Sequence, residues 1–376
     1  MKRAFKYRLY PNRTQAEALD AMLETHRRLY NSALEERRDI YEQEKRAVSY
    51  GEQSGKLKEA RKSNPYLAAT NFSSTQATLR RLDRAFKAFF RRVKAGETPG
   101  YPRFKGRDRF RLVEFPSYGD GCKLKENGRL YLQHIGHIKV KLHRPVEGTI
   151  KTVSVKKSCG KWYVIFVSDI GDAPEKREGP AVGIDLGLKS FYATSDGEFV
   201  TTPRYYRKAQ KKLRRAQRAL SRKKKGSNRR RKARRCVAKL HEKVANQRRD
   251  FHHKEARKLV DAYGLIAVEA LNVKGIARTR FAKSAYDAGW AQFVSILQSK
   301  AEEAGVAVIA VDPKNTTQSC SRCGALSEVK KTLSDRIHTC ESCGYTADRD
   351  VNAAQNILAL GRSAQARTQR VAASVA

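Results

Sequence analysis

Four cysteines carry the spacing of a single metal site. Cys320, Cys323, Cys340 and Cys343 form two CxxC pairs separated by sixteen residues. Thiolates so spaced satisfy a tetrahedral Zn²⁺ ion in a ribbon, and the metal supplies folding energy to a segment too short for its own core. Four sulfurs leave no open coordination position, so this chemistry is structural. His338 could replace one ligand, but two residues before Cys340 it reads as an exposed strand residue.

The second set of residues is acidic. Asp185 interrupts the apolar run "AVGIDLGL", and Glu269 interrupts "GLIAVEAL". A carboxylate inside a core strand is costly unless a metal or a partner compensates it. Two such acids in one sheet call for cations, and a third acid from a following helix would complete a Mg²⁺ site. Such a site activates water and clamps a scissile phosphate, the two-metal arrangement having ions roughly 3.5 to 4 Å apart. The stretch "DRDVNAA" offers a third acid twice, at Asp348 and Asp350. Asp348 precedes a helical pattern from Arg349 to Leu360 and is suited to N-cap it. Asp350 lies in the first turn, from which it can reach toward Asp185 and Glu269. "DLG" after an apolar run also occurs at the phosphate turn of actin-like ATPases, yet neither a second Asp-Gly turn nor a Gly-rich adenosine turn follows convincingly.

These residues need a scaffold, and 376 residues suffice for two or three domains. Met1 to Pro11 alternates like a strand, and "TQAE" at Thr14 to Glu17 has the spacing of a capping box opening a long helix. A second helix is expected near Ser74 to Val93 with Leu79, Leu82, Phe86, Phe89 and Phe90; its aromatics could stack on bases, but at this spacing they read as core. From Arg109 to Ile170 short alternating strands follow, so the helices are inserted between the first strand and a sheet it joins. "DAPEKREGP" is a linker. Beyond it come three consecutive strands with a Ser-Asp-Gly turn at Ser195 to Gly197, then two buried parallel strands around a helix with Trp290, Phe293 and Leu297. A site on such a sheet forms near the carboxyl ends of its parallel strands.

Charge indicates the partner. The chain holds 79 Lys plus Arg against 38 Asp plus Glu, a formal net charge of +41. That imbalance calls for a polyanion, with nucleic acid first. Arg204 to Arg235 holds 18 basic residues in 32 and no acid, with Ala209, Leu213, Ala216 and Leu220 as one thin apolar stripe and Val237, Leu240 and Val244 as another. A basic helical hairpin facing phosphates is expected. No secretory signal and no membrane span is read in the sequence. Cys122, Cys159 and Cys236 suggest no disulfide framework, which fits a reducing cytosol.

Five stretches together carry a family resemblance: "PRFKGR" at Pro102, "GIDLGL" at Gly183, "VEALNVKGIAR" at Val268, "TTQSCSRCG" at Thr316 and "RIHTCESCGYTADRDVNAAQNI" at Arg336. In this order over most of the chain, they resemble the TnpB family, transposon-encoded RNA-guided DNA endonucleases related to type V CRISPR effectors. The resemblance implies a multidomain α/β protein. Its nuclease domain would be RuvC-type and RNase H-like over 179–376, with the basic hairpin at 204–256 and a zinc ribbon at 316–346 inserted. A wedge-like β barrel would take 1–11 and 103–175, and a helical recognition domain 12–102. Asp185, Glu269 and Asp350 would hold Mg²⁺, the family pattern of Asp, any residue, Asn, Ala also pointing to Asp350. The four cysteines would hold one Zn²⁺. The implied partners are a guide RNA from the transposon end and target double-stranded DNA beside a short motif, in a prokaryotic cytoplasm at the nucleoid. Gln76, Arg80, Arg103 and Lys105 become candidates for nucleic-acid contact, as do Arg229, Arg230 and Arg231 in the hairpin. The competing expectation is a non-cleaving RNA or DNA binder that regulates the transposon, its acids structural.

Overall fold

The computed structural model describes residues 1–276, 278–328, 331 and 334–375, and divides into two units, Met1–Asp172 and Ala173–Ala376. In the first, β1 (Lys2–Tyr10) leads into α1 (Arg13–Glu44), α2 (Tyr50–Ser63), α3 (Pro65–Ala68) and α4 (Phe72–Lys94). The remaining strands follow: β2 (Leu112–Phe115), β3 (Cys122–Leu124), β4 (Arg129–Leu132), β5 (Gly136–Lys141), β6 (Thr149–Ser158) and β7 (Lys161–Asp169). All join one antiparallel sheet in the order β2-β6-β7-β1-β5-β4-β3. The first strand therefore lies in its middle, with the helices inserted after it. Alternation along β1 buries Phe5, Tyr7 and Leu9 in a core shared with Leu19 and Leu23 of α1 and Leu79 and Leu82 of α4.

Two expectations here are corrected. The capping box of α1 sits at Asn12, whose side chain accepts from the Gln15 N–H at 2.8 Å while the Gln15 side chain accepts from the Asn12 N–H at 3.1 Å. Asn12 thus starts the helix two residues before Thr14. The aromatic end of α4 leaves the core: Phe86 is half-buried against it, Phe89 is half-buried, and Phe90 is 58% exposed.

The second unit begins with β8 (Ala181–Asp185), β9 (Ser190–Thr194) and β10 (Phe199–Thr201), followed by α5 (Tyr205–Ser221) and α6 (Asn228–Ala262). Next come β11 (Leu265–Glu269), α7 (Val273–Ile276), α8 (Ala282–Ala288), α9 (Trp290–Ala304) and β12 (Ala307–Val311). A hairpin of β13 (Ile337–Thr339) and β14 (Thr346–Asp348) leads into α10 (Arg349–Val375). The sheet order is β10-β9-β8-β11-β12, with β8, β11 and β12 parallel.

One face of this sheet packs Val182, Ile184, Ile266 and Val268 against α6 and α9, through Leu259, Val260, Phe293 and Leu297. The other face carries α10, with Ile357 against Ala267 and Val311. That helix lies so close that a Cβ on Gly183 would meet the Ala354 carbonyl oxygen at 2.0 Å, and one on Gly361 would meet the Ala267 Cβ at 2.5 Å. Glycine is required at both crossings. The described residues contain no helix long and apolar enough to cross a membrane.

Candidate metal centres and nucleic-acid surfaces

Strand alternation places the two acids. Ile184 and Val268 are register partners in neighbouring parallel strands and face α6 and α9, so Asp185 and Glu269, one residue on, sit side by side on the face that carries α10. Both end their strands, at the carboxyl edge of the parallel sheet. Asp350, in the first turn of α10, comes to the same edge. The three acids are separated by 84 and 81 residues in sequence and are assembled by topology alone.

Their electrostatics match that crowding. Burial, then the Glu269 and Asp350 carboxylates, push the Asp185 carboxyl up to about 8. Burial also raises Glu269, partly offset by the Thr316 hydroxyl, which donates to Glu269 Oε1 at 2.5 Å. Asp350 accepts from Arg349 Nη2 at 3.2 Å. Among the described residues, no side chain hydrogen-bonds or ion-pairs with Asp185. Three acids that repel one another, Glu269 buried and Asp185 and Asp350 half-buried, with Asp185 unpartnered, carry the charge a hard cation such as Mg²⁺ would compensate. Asp348 plays a different part: its Oδ1 accepts from the Asp350 N–H at 2.8 Å at the start of α10.

The cysteines are drawn closer together. Among the described residues they form the one group of three or more candidate ligands whose ligand atoms all lie within 4.8 Å of one another. Cys320 Sγ and Cys343 Sγ are 3.7 Å apart, Cys323 Sγ and Cys340 Sγ 3.6 Å. Zn–S bonds of ~2.3 Å in a tetrahedron put sulfurs ~3.8 Å apart, so the cluster fits the ion. Each CxxC closes in the same way. Gly324 and Gly344, both in the left-handed region, donate to the carbonyls of Cys320 and Cys340, and those two cysteines donate to the carbonyls of Ala325 and Tyr345. The Cys343 backbone N–H is the first of the groups that lower the Cys340 thiol, to about 6, and so favour a metal-binding thiolate.

His338 departs from expectation: it is 1% exposed in β13, its Nδ1 against Lys331 Nζ and its ring beside Tyr345.

A row of amides on α10, missed in the sequence, ties the ribbon to the acid centre. Asn352 Oδ1 accepts from the Ser321 N–H at 2.9 Å, and its Nδ2 donates to the Ser319 carbonyl at 2.8 Å. Asn356 Nδ2 donates to the carbonyls of Thr316 and Ser319, each at 2.8 Å, and Gln355 Oε1 accepts from the Ser321 hydroxyl at 2.7 Å. Their i, i+3, i+4 spacing in "NAAQN" was the available signal. Thr316, reaching Glu269, carried none.

The basic candidates spread over both units. In the hairpin Arg229 and Arg231 are exposed, whereas Arg230 donates to the Leu220 and Lys223 carbonyls and closes the end of α5. In the first unit, Gln76 Nε2 donates to Ser54 Oγ at 3.3 Å and Arg80 Nε to the Tyr50 hydroxyl at 3.0 Å. Arg103 is exposed, and the Lys105 ammonium lies 5.7 Å from the Tyr30 ring centre. A separate cleft of about 320 Å³ in the second unit is lined by Lys189, Arg204, Arg207 and Arg336 and excludes the three acids.

Comparison with known proteins adds the context. A family model described as "Probable transposase" matches residues 150–280, one described as "Cas12f1-like, TNB domain" matches 290–357, and one described as "Helix-turn-helix domain" matches 1–46. The last segment is a strand and a single long helix here. Over 375 residues the chain is 36% identical to the "Putative RNA-guided DNA endonuclease" of Streptomyces pristinaespiralis, covering 97% of this chain and 91% of that protein. It is 34% identical over 385 residues to the "Putative RNA-guided DNA endonuclease InsQ" of Escherichia coli (strain K12), covering 96% and 94%. Among solved structures, the "Cryo-EM structure of the Cas12f1-sgRNA-target DNA complex" shares its fold at a TM-score of 0.59 and 16% identity, covering 91% of this chain and 82% of that chain.

Proposed function

The chain belongs to the TnpB family, and from that premise we propose that it is an RNA-guided DNA endonuclease of a transposon. Asp185, Glu269 and Asp350 hold Mg²⁺, probed by the cleavage test below, and the four cysteines hold one structural Zn²⁺. The reading rests on one observation: two strand-end acids, adjacent in parallel register, meet the first turn of α10 on one face of the sheet. Residues 179–376 are then the RuvC-type, RNase H-like domain. Residues 1–11 and 103–175 form the wedge-like barrel and 12–102 the recognition domain. The partners are a guide RNA from the transposon end and double-stranded target DNA beside a short motif, in the cytoplasm of a prokaryote.

The chain's own residues divide the labour. Magnesium, when bound, supplies the positive charge that stabilises the phosphoryl transition state and activates water. Asp185 and Glu269 would hold it from rigid strand ends, and the Thr316 hydroxyl fixes the rotamer of Glu269. Arg349 holds Asp350 in place. Guide pairing supplies sequence specificity while basic side chains follow backbone and shape. In a guided cleavage assay, Asp185→Ala or Glu269→Ala abolishes product while RNA binding stays near wild type. Cleavage at the wild-type rate by either variant contradicts the assignment.

A further inference from the structure

The end of α4 that leaves the core forms an aromatic surface with no role in the acid centre. Phe86, Phe89 and Phe90 share it with Tyr101 and Phe104 from the segment after the helix. The Tyr101 ring stands edge-on to Phe86 at 5.6 Å and to Phe89 at 5.4 Å, and Phe90 lies 6.4 Å from Phe86 in a stacked orientation. The Arg37 guanidinium covers Phe86 and that of Arg38 covers Phe104, at 5.1 and 5.7 Å. The rings hold one another in place, yet Phe90, Tyr101 and Phe104 remain 58%, 46% and 44% exposed.

Exposed rings gathered on one surface suit a binding site, and their surroundings indicate the occupant. Residues 84–96 hold five cations and no acid. Arg91, Arg92 and Lys94 from that stretch, with Arg103, have no acidic partner among the described residues. Asp39 and Glu42 lie at the edge of the patch and are engaged by Arg38. Exposed rings rimmed by uncompensated cations suit a ligand with alternating π faces and phosphates, which is an unpaired polynucleotide. A second copy of the chain would bring the same cations against themselves.

We propose that Phe90 and Tyr101 form a stacking platform for unpaired nucleotides of the bound RNA, flanked by Arg91, Arg92, Lys94 and Arg103. The choice of RNA rests on the function proposed above. A guide is resident in the protein and covers the rings throughout its life, whereas an opened DNA strand is present only during cleavage.

The test measures binding, so its outcome is independent of whether the acid centre cuts. Fluorescence anisotropy with the full chain compares oligouridylate, the abasic oligoribose phosphate of equal length, and oligodeoxythymidylate. Phe90→Ala/Tyr101→Ala weakens oligouridylate about tenfold per stacked base, the equivalent of about 1.4 kcal/mol, and leaves the abasic strand unchanged. Phe90→Leu keeps the apolar area without the π face and gives the same selective loss for one base, which covers a double variant that fails to fold. Equal losses on the base-bearing and abasic strands, or no loss, overturn the proposal. So does an oligodeoxythymidylate loss larger than that for RNA, which assigns the patch to DNA. A dimer seen by light scattering that the substitutions abolish would overturn it in favour of a second copy.

Discussion

The cysteine cluster and the acid centre meet within one short stretch, Cys340 to Asp350, and are built in opposite ways. The cluster is local and closed, its four sulfurs brought by two knuckles of like hydrogen bonding to 3.6 and 3.7 Å separations. The acid centre is assembled from three distant segments, and burial, with the repulsion of Glu269 and Asp350 added, raises Asp185 to about 8. A site that satisfies itself stabilises a fold. A site left electrostatically uncompensated at the edge of a rigid sheet is poised for a charged ligand. The two are joined because the ribbon ends where α10 begins, so the first fixes where Asp350 stands.

The largest effect that separates them falls on the cluster. Cys320→Ser forfeits most of the binding free energy of a structural zinc, on the order of 10 kcal/mol in small modules. Metal analysis then drops from one zinc per chain to almost none, and limited proteolysis opens residues 316–346. Cleavage falls as well, since α10 loses its anchor. If zinc content and protease resistance survive, the cluster is not the closed site described.

Next comes the choice between neighbouring aspartates. Asp350→Asn lowers the guided cleavage rate by about a thousandfold, several kcal/mol of lost charge stabilisation, without loss of zinc. Asp348→Asn removes a carboxylate whose Oδ1 accepts from the Asp350 N–H, which an amide oxygen can replace, and the rate changes by only a few-fold. The reverse ranking would move the third ligand to Asp348. A smaller effect is expected at Thr316→Val, which frees Glu269 and reduces cleavage by about tenfold, the size typical of a residue that orients a metal ligand. Higher magnesium restores part of that rate. An unchanged rate would make the hydrogen bond incidental.

A further effect, on stability and not on rate, sharpens the comparison through pH. Asp185 titrates near 3.8 in an unfolded chain and at about 8 when folded without metal, so the folded state holds the extra proton. Its contribution to stability is complete below about 3.8 and is lost as pH rises through 8. Metal-free Asp185→Asn therefore melts above the wild type at pH 8, and the gap closes on acidification. The thiolate cluster responds in the other direction, losing its metal as pH falls. A gap independent of pH would contradict the uncompensated state of Asp185.

Much of this was legible in the sequence, for stated reasons. Spacing alone identifies the four cysteines, because a knuckle is a local structure. Asp185 and Glu269 stand out because a charge in an apolar strand is costly. Their adjacency depends on register, which no local pattern encodes, and Gly183 shows its reason only when α10 is laid across β8. Helical spacing could not tell a fully buried aromatic stripe from one that leaves Phe86 and Phe89 half-buried and Phe90 exposed, since both repeat every third or fourth residue. His338 looked exposed because Lys331 and Tyr345, which cover it, are adjacent only in three dimensions. Thr14 looked like the cap of α1 because it opens an S/T-x-x-E pattern, whereas Asn12 and Gln15 satisfy the same donors two residues earlier.

The most direct test is a magnesium titration of guided DNA cleavage by the RNA-bound wild type and by Asp185→Asn at equal RNA content. The wild type yields product that rises with magnesium and saturates, and the variant yields none at any concentration while keeping its RNA and its zinc. Product from Asp185→Asn at the wild-type rate, or wild-type cleavage indifferent to magnesium, would contradict the central claim that these acids are the metal-holding catalytic centre.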